Sequence, residues 1–311
     1  MDAALRVLHE HDADAVIGFG GGSALDTAKA VALLAVAGGE MRHCKAPRDN
    51  SGPALPIIAV PTTAGTGSEA TQVTVITDSE TDEKMMCMGR ALMPTAAIVD
   101  YELTVSMPPR LTADTGVDSL THAIEAYVSR KANPFSDIFA VTAMRTIAKY
   151  LRRAYQDGND LEAREAMMLA ATQGGMAFSN SSVALVHGMS RPIGAHFHVP
   201  HGLSNAMLFP AVTAFSVGEA ESRYADCARI IEAASDSDDD ATAAGKLVTA
   251  LKELCRDVEV PTPASYGIER DRWTELAPLM AEQAIASGSP ANNPRIPNSD
   301  EICAIYADIY A

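Results

Sequence analysis

The chain has 311 residues, with 24 Lys and Arg against 40 Asp and Glu, for a formal net charge of −16. Such a length holds two ordinary domains or one large one, and the acidic balance argues against nucleic acid or an anionic membrane as a partner. A composition of 47% hydrophobic and 21% charged residues reads as a globular, water-soluble protein, and five scattered cysteines without a CxxC pair argue against a disulfide framework or thiolate zinc site.

In chain order, "MDAALRVLHEHDADAV" opens with a helical pattern over about 2–12 and lacks the basic and apolar regions of a secretory signal. No apolar run approaches the ~18 residues of a membrane span. "AVIGF" (15–19), "PIIAV" (56–60), "TVITD" (74–78) and "AAIVD" (96–100) read as buried strands. Between the first two, "SALDTAKAVALLAVAG" (23–38) reads as a helix ending at a Gly-Gly pair. Strand, glycine loop, helix, strand is a βαβ unit, so parallel strands are expected here. After "MPPR" (107–110) the strand signals stop, and helical patterns cover 112–130, 135–157, 161–179, 219–236, 241–257, 270–286 and 298–310. The breaks fall at "NP", "QDGND", "SDSDDDA" and "SGSPANNP". The expected organisation is an α/β dinucleotide-binding domain over 1–107 with an incomplete parallel sheet, then an all-helical metal-binding domain over 108–311. A dinucleotide-binding sheet normally has further βα units, for which little room precedes the first strand.

"GFGGGSALDTAKA" (18–30) follows a strand and opens a helix. Glycines let a backbone approach phosphate, and the helix N-terminus offers free N–H groups and partial positive charge. The loop is neither GxGxxG nor a Walker A sequence, and a plain tight turn is the alternative. Gly21, Gly22 and Ser23, with Asp26 in the first turns of the helix, are the candidate cofactor contacts. "PTTAGTGSEAT" (61–71) also follows a strand, and the hydroxyls of Thr62, Thr63 and Thr66 suit phosphate or ribose, although the stretch also reads as a capped helix start at Ser68 and Glu69.

In "TGVDSLTHAIEAYVS" (115–129), Asp118 and His122 lie four apart and share a helical face. Such a pair chelates a divalent ion or simply forms a salt bridge. His187 and His201, each followed by glycine, join it to complete a set of one oxygen and three nitrogens, which suits Fe(2+) or Zn(2+) and disfavours Mg or Ca.

Together, "GGGSALDTAK", "PTTAGTGSEAT", "GVDSLTHAIEAY", "LVHGMSRPIGA" and "PHGLSNAMLFP" resemble the iron-containing (group III) alcohol dehydrogenase family, over nearly the whole chain. The resemblance implies a dehydroquinate synthase-like architecture and an NAD- or NADP-linked oxidoreductase acting on a small alcohol or aldehyde. Hydride would pass between a metal-bound alkoxide and the nicotinamide. It places Asp118, His122, His187 and His201 on the metal ligands, Gly22 and Ser23 on the pyrophosphate loop, and Thr62, Thr63, Thr66 and Lys84 on further cofactor contacts. It also implies an N-terminal segment of about 75–80 residues ahead of the present first residue, carrying strands and part of the adenosine site. A homodimer or higher homo-oligomer and a cytoplasmic location accompany the resemblance.

Arg191 departs from the family pattern, which often has a histidine there that helps relay the alcohol proton. A guanidinium stays protonated and cannot take that role. Arg191 is read either as gripping a substrate carboxylate or cofactor phosphate, or as pairing with a local acid. His196 and His198, close by in sequence, are the histidines weighed for a relay, and are otherwise outer or surface histidines. His201, His187, Arg191 and His198 are thus the candidates for the catalytic surroundings. Two other functions are weighed against the dehydrogenase: a metal-binding homologue that is weak or inactive for want of the upstream segment, and a dehydroquinate synthase-type lyase.

Overall fold

A computed structural model describes residues 1–81 and 84–311. Helix α1 (Asp2–Glu10) leads into strand β1 (Val16–Gly20), helix α2 (Gly22–Ala37) and strand β2 (Ile57–Pro61). Strands β3 (Val73–Thr77), β4 (Lys84–Met88) and the two-residue β5 (Ala96–Ala97) follow. β1, β2 and β5 form a parallel sheet in the order β1-β2-β5, with Val16 opposite Ile57 and Ile58 opposite Ala96. The expected α/β unit with parallel strands is therefore present.

Two expectations are corrected. β3 leaves the parallel sheet and pairs antiparallel with β4, Val75 opposite Met86. "KMMCM" had no β-branched residue to mark it as a strand, and it is the hairpin partner that stabilises it. The sheet is also open on one face: Ile17 is 65% exposed, Phe19 62% and Ile98 55%. Strands alternate sides, and α2 covers only the face that carries Gly18, Ile57 and Ala59. The segment 96–100 is accordingly a short edge with exposed Ala96 and Ala97.

α2 is apolar on nearly all sides and buried from Ala28 to Leu34, because the sheet and the hairpin flank it. A Cβ on Gly18 would lie 3.0 Å from Ala28 Cβ, so glycine sets the approach of β1 to α2. The inner face of the hairpin, Met85 and Cys87, joins Ala30, Leu33 and Leu34 of α2 in a small core.

The remainder is helical: α3 (Pro109–Val128), α4 (Pro134–Gln156), α5 (Leu161–Ser179), α6 (Leu185–Phe197), α7 (His201–Ser216), α8 (Glu221–Ile230), α9 (Asp240–Asp257), α10 (Pro263–Tyr266), α11 (Arg270–Ala286) and α12 (Ser299–Asp308). α3 is the axle: every residue from Thr112 to Val128 is buried, and α4, α5 and α7 pack around it. Asn133, at the "NP" break, caps α4 with a reciprocal bond to Ser136. The expected helix over 219–236 shortens to Glu221–Ile230. α6 and α7 were not expected at all. Gly188, Pro192, Gly202 and Pro210 have low helix propensity, yet tertiary packing holds both segments helical, with Pro192 and Pro210 inside the helices.

Candidate metal centre and cofactor cleft

α3 carries Asp118, His122 and Glu125 at i, i+4 and i+7, on one buried face. α6 brings His187 and α7 begins with His201. The close approach of α7 to α3 depends on Gly202, where a Cβ would lie 2.6 Å from Asp114 O. Three imidazole Nε2 atoms converge on Asp118 Oδ1: His187 at 3.4 Å, His122 at 3.8 Å and His201 at 3.9 Å. Ligand atoms of Asp118, His187 and His201 all lie within 4.8 Å of one another. His122 stands at the edge of that set, its ring stacked on His187 with centroids 4.6 Å apart and against Phe178 at 4.5 Å. The structure thus brings the four sequence candidates together, three of them tightly.

Two further residues complete the surroundings. Glu125 Oε2 lies 2.6 Å from His187 Nδ1 and accepts from Ala184 N, while Oε1 accepts from Val186 N. The carboxylate therefore caps α6 in place of Ala184, whose side chain cannot, and orients the His187 ring. A neutral His187 whose Nδ1 donates to Glu125 would turn its Nε2 lone pair to the cluster, the tautomer a metal needs. Asn205, one turn after His201, donates from Nδ2 to Asp118 Oδ1 at 2.6 Å and lies 3.1 Å from His187 Nε2 and 3.2 Å from His201 Nε2. Its Oδ1 is buried and unpartnered among the described residues. Sequence reading passed over both. Glu125 was legible as the next step of the Asp118–His122 stripe, whereas Asn205 needed α7 to be recognised.

Electrostatics match a cation site. Burial opposes charge on Asp118, but His122, His201 and His187 outweigh it and hold the carboxyl well below its usual range. Burial pushes His122 down to about 4 despite Asp118. His201 is also held low: burial leads although 41% of its side chain is exposed, Asp118 opposes, and His187, His122 and Lys84 add repulsion. His187 is the exception, raised to about 9 because Glu125 and Asp118 overcome its burial. A carboxylate and two imidazoles held neutral, with a third, His187, oriented from behind by Glu125, fit Fe(2+) or Zn(2+). That donor set is what the residues offer such an ion.

The cofactor candidates form a second cluster. Gly21 caps α2 with no side-chain bond to the first turn, so a sixteen-residue helix ends on unshielded N–H groups. Thr62 N donates to Gly20 O, which ties the second loop to the first. A Cβ on Gly22 would lie 2.8 Å from Thr66 Cγ2, and one on Gly21 would lie 3.3 Å from Thr63 Cγ2, so glycine keeps this cradle open. Ser23 is exposed at its rim. These loops fit a diphosphate. Asp26 Oδ1 accepts from Ser68 Oγ and Oδ2 from Val75 N, so it fastens α2 to the hairpin.

Lys84 begins β4, with its ammonium beside α6. Arg191 donates to Ser289 Oγ at 3.0 Å. His196 is bonded to Gln283 Oε1, and His198 ends α6 exposed, in the left-handed conformation at φ 55°. No helix among the described residues is long and apolar enough to cross a membrane.

The sequence matches the profile "iron-containing alcohol dehydrogenase" over residues 1–101 and "Fe-containing alcohol dehydrogenase family, C-terminal" over 112–310. It is 40% identical over 313 residues to a probable alcohol dehydrogenase EutG of Escherichia coli (strain K12), covering 98% of this chain and 75% of that protein. It is 38% identical to the NAD-dependent methanol dehydrogenase of Bacillus methanolicus, covering 96% of this chain and 78% of the relative. The fold superposes on a solved 1,3-propanediol oxidoreductase with a TM-score of 0.94 at 35% identity, over 99% of this chain and 80% of that one.

Proposed function

The chain belongs to the iron-containing alcohol dehydrogenase family, and we propose that it interconverts a small primary alcohol and its aldehyde with NAD or NADP. Membership selects the dehydrogenase over the lyase weighed from the sequence. The observation that carries the reading is the convergence of three imidazole Nε2 atoms on Asp118 Oδ1.

Asp118, His187 and His201, with His122 alongside, would hold Fe(2+) or Zn(2+). Such an ion, when bound, supplies Lewis-acid chemistry that makes a hydroxyl easier to deprotonate. Glu125 fixes the His187 ring, and Asn205 ties Asp118 to the two histidines. Gly21, Gly22, Ser23, Thr62, Thr63 and Thr66 would receive the cofactor diphosphate and ribose, and Lys84 would flank it. We take residues 1–107 as the cofactor-binding part and 108–311 as the metal-binding part. NAD+, when bound, would accept the hydride lost from the alcohol carbon, and the hydroxyl proton would pass to solvent, so that the overall reaction yields aldehyde, NADH and a proton. Arg191 cannot accept that proton. Of the neighbouring histidines, His196 is engaged with Gln283, which leaves exposed His198 to exchange with water. A cytoplasmic homo-oligomer is the accompanying assignment.

The test is NADH formation, followed by absorbance, from a series of primary alcohols with the Fe(2+)- or Zn(2+)-loaded protein. Metal-dependent turnover is expected. No reduction of NAD(P)+ by any alcohol, with metal bound, would contradict the reading.

A further inference from the structure

Two cations meet where the strand hairpin touches α6. On α6, His187, Arg191 and Gly194 follow one another at i, i+4 and i+7, along one face. On β4, Lys84 and Met86 share the face turned away from the small core of α2. The two faces are in contact. Arg191 Nη2 lies 3.8 Å from Met86 Sδ, and a Cβ on Gly194 would lie 2.6 Å from Lys84 Nζ. Gly194 is therefore the notch that admits an ammonium beside a guanidinium, one to two helical turns from the metal-ligand candidate His187.

Nothing anionic is paired with either group among the described residues. Arg191 bonds to Ser289 Oγ, a neutral hydroxyl that is itself buried, and touches a thioether. The acid that acts on it electrostatically is Glu125, but both Glu125 oxygens already serve His187, Ala184 and Val186. Burial, and then the neighbouring Arg191, lowers the affinity of Lys84 for its proton; burial does the same to Arg191. Lys84 also acts on His201, so the pair lies within electrostatic reach of the metal ligands. Two half-buried like charges side by side are costly unless an anion joins them. A planar guanidinium with an ammonium beside it is well suited to a carboxylate.

We propose that Arg191, together with the Lys84 ammonium that also flanks the cofactor, forms a carboxylate-binding pair beside the metal ligands, and that the preferred substrate is an ω-hydroxy acid or the corresponding semialdehyde. The inference rests on the dehydrogenase reading above and narrows its substrate. Arg191 thereby becomes a specificity-determining residue.

The experiment compares kcat/KM for ω-hydroxy acids and for alkanols of the same length, over about three to six carbons, in the metal-loaded enzyme with NAD+. At the best chain length the hydroxy acid should be favoured by about tenfold or more. That preference should fall by about tenfold in Arg191→Met and be partly kept in Arg191→Lys. A wild-type preference for the alkanol, or an unchanged ratio in Arg191→Met, overturns the proposal. Calorimetry with NAD+ separates the other source of an anion: if Arg191→Met weakens NAD+ and leaves the substrate ratio intact, the pair serves a cofactor phosphate and the proposal fails. If neither series reduces NAD+, the dehydrogenase reading fails by itself. Succinate titrated into the NAD+-loaded protein then reads the site directly. Binding that Arg191→Met removes supports the carboxylate pair, and absence of binding overturns it.

Discussion

The Glu125 carboxylate sits 2.6 Å from His187 Nδ1 while accepting from the first N–H groups of the helix that carries His187. One buried side chain thus caps α6 and sets the orientation of a metal-ligand candidate. Glu125→Gln keeps the shape but loses the charge. Metal affinity should fall by about 10–100-fold, the usual effect of losing a partner that orients a ligating histidine. Competition with a chelator measures it, and an unchanged affinity would mean that Glu125 serves only the helix.

Gly67 and Gly175 join the cofactor loops to α5. Gly67 has φ 61°, and a Cβ on it would lie 2.5 Å from Gly175 Cα; one on Gly175 would lie 2.5 Å from Gly67 O. Backbone presses on backbone here, so neither side can yield cheaply. Gly67→Ala combines strain with a clash and should lower the unfolding free energy by roughly 1–3 kcal/mol. Urea unfolding gives the value. A change within error would show that the loop can move off α5 freely.

Lys29 is fully buried, donating to Thr71 O, Thr71 Oγ1 and Val73 O. Burial pushes it down to about 8, against Asp26 and Glu69, which pull upward. Its folded value lies below the unfolded one, so between about 8 and 10.5 the unfolded chain binds more protons. The Lys29 contribution to stability should therefore rise with pH across that window. Urea midpoints at the two ends, compared between wild type and Lys29→Met, isolate it from the tyrosines and cysteines. A wild-type dependence no steeper than that of Lys29→Met would refute the assignment.

Arg164 is 2% exposed and donates to Gly158 O, Thr112 Oγ1 and Met107 O, where the chain passes from strands to helices. Arg164→Met strands these buried acceptors and should cost about 2–4 kcal/mol, since each unsatisfied partner costs about 1–3. Chemical unfolding checks it, and a loss below about 1 kcal/mol would show that water replaces the guanidinium.

Much of this arrangement could be read from residue order because local patterns carry it. The βαβ unit shows in apolar runs around a glycine loop, and Asp118 and His122 show in helical spacing. What stayed hidden depends on distant packing. α6 and α7 contain Gly188, Pro192, Gly202 and Pro210, whose local preferences oppose a helix, and only burial against α3 and its neighbours overrides them. β4 shows no strand pattern until β3 pairs with it. The bonds of Asp26 to Ser68 and Val75 span more than forty residues, so its fastening of α2 to the hairpin left no local pattern. Lys84 and Arg191 are 107 positions apart in sequence and become neighbours only when the hairpin meets α6.

The central claim is that Asp118, His187 and His201 hold the divalent ion on which alcohol oxidation depends. Its most direct test is metal content per chain of wild type and His201→Ala after loading with Fe(2+) or Zn(2+) and desalting, with alcohol-dependent NADH formation measured on the same samples. Wild type should retain about one ion per chain and turn over, while His201→Ala should lose the ion and fall in rate by about a hundredfold or more. A His201→Ala protein that keeps both its metal and full activity would contradict the claim.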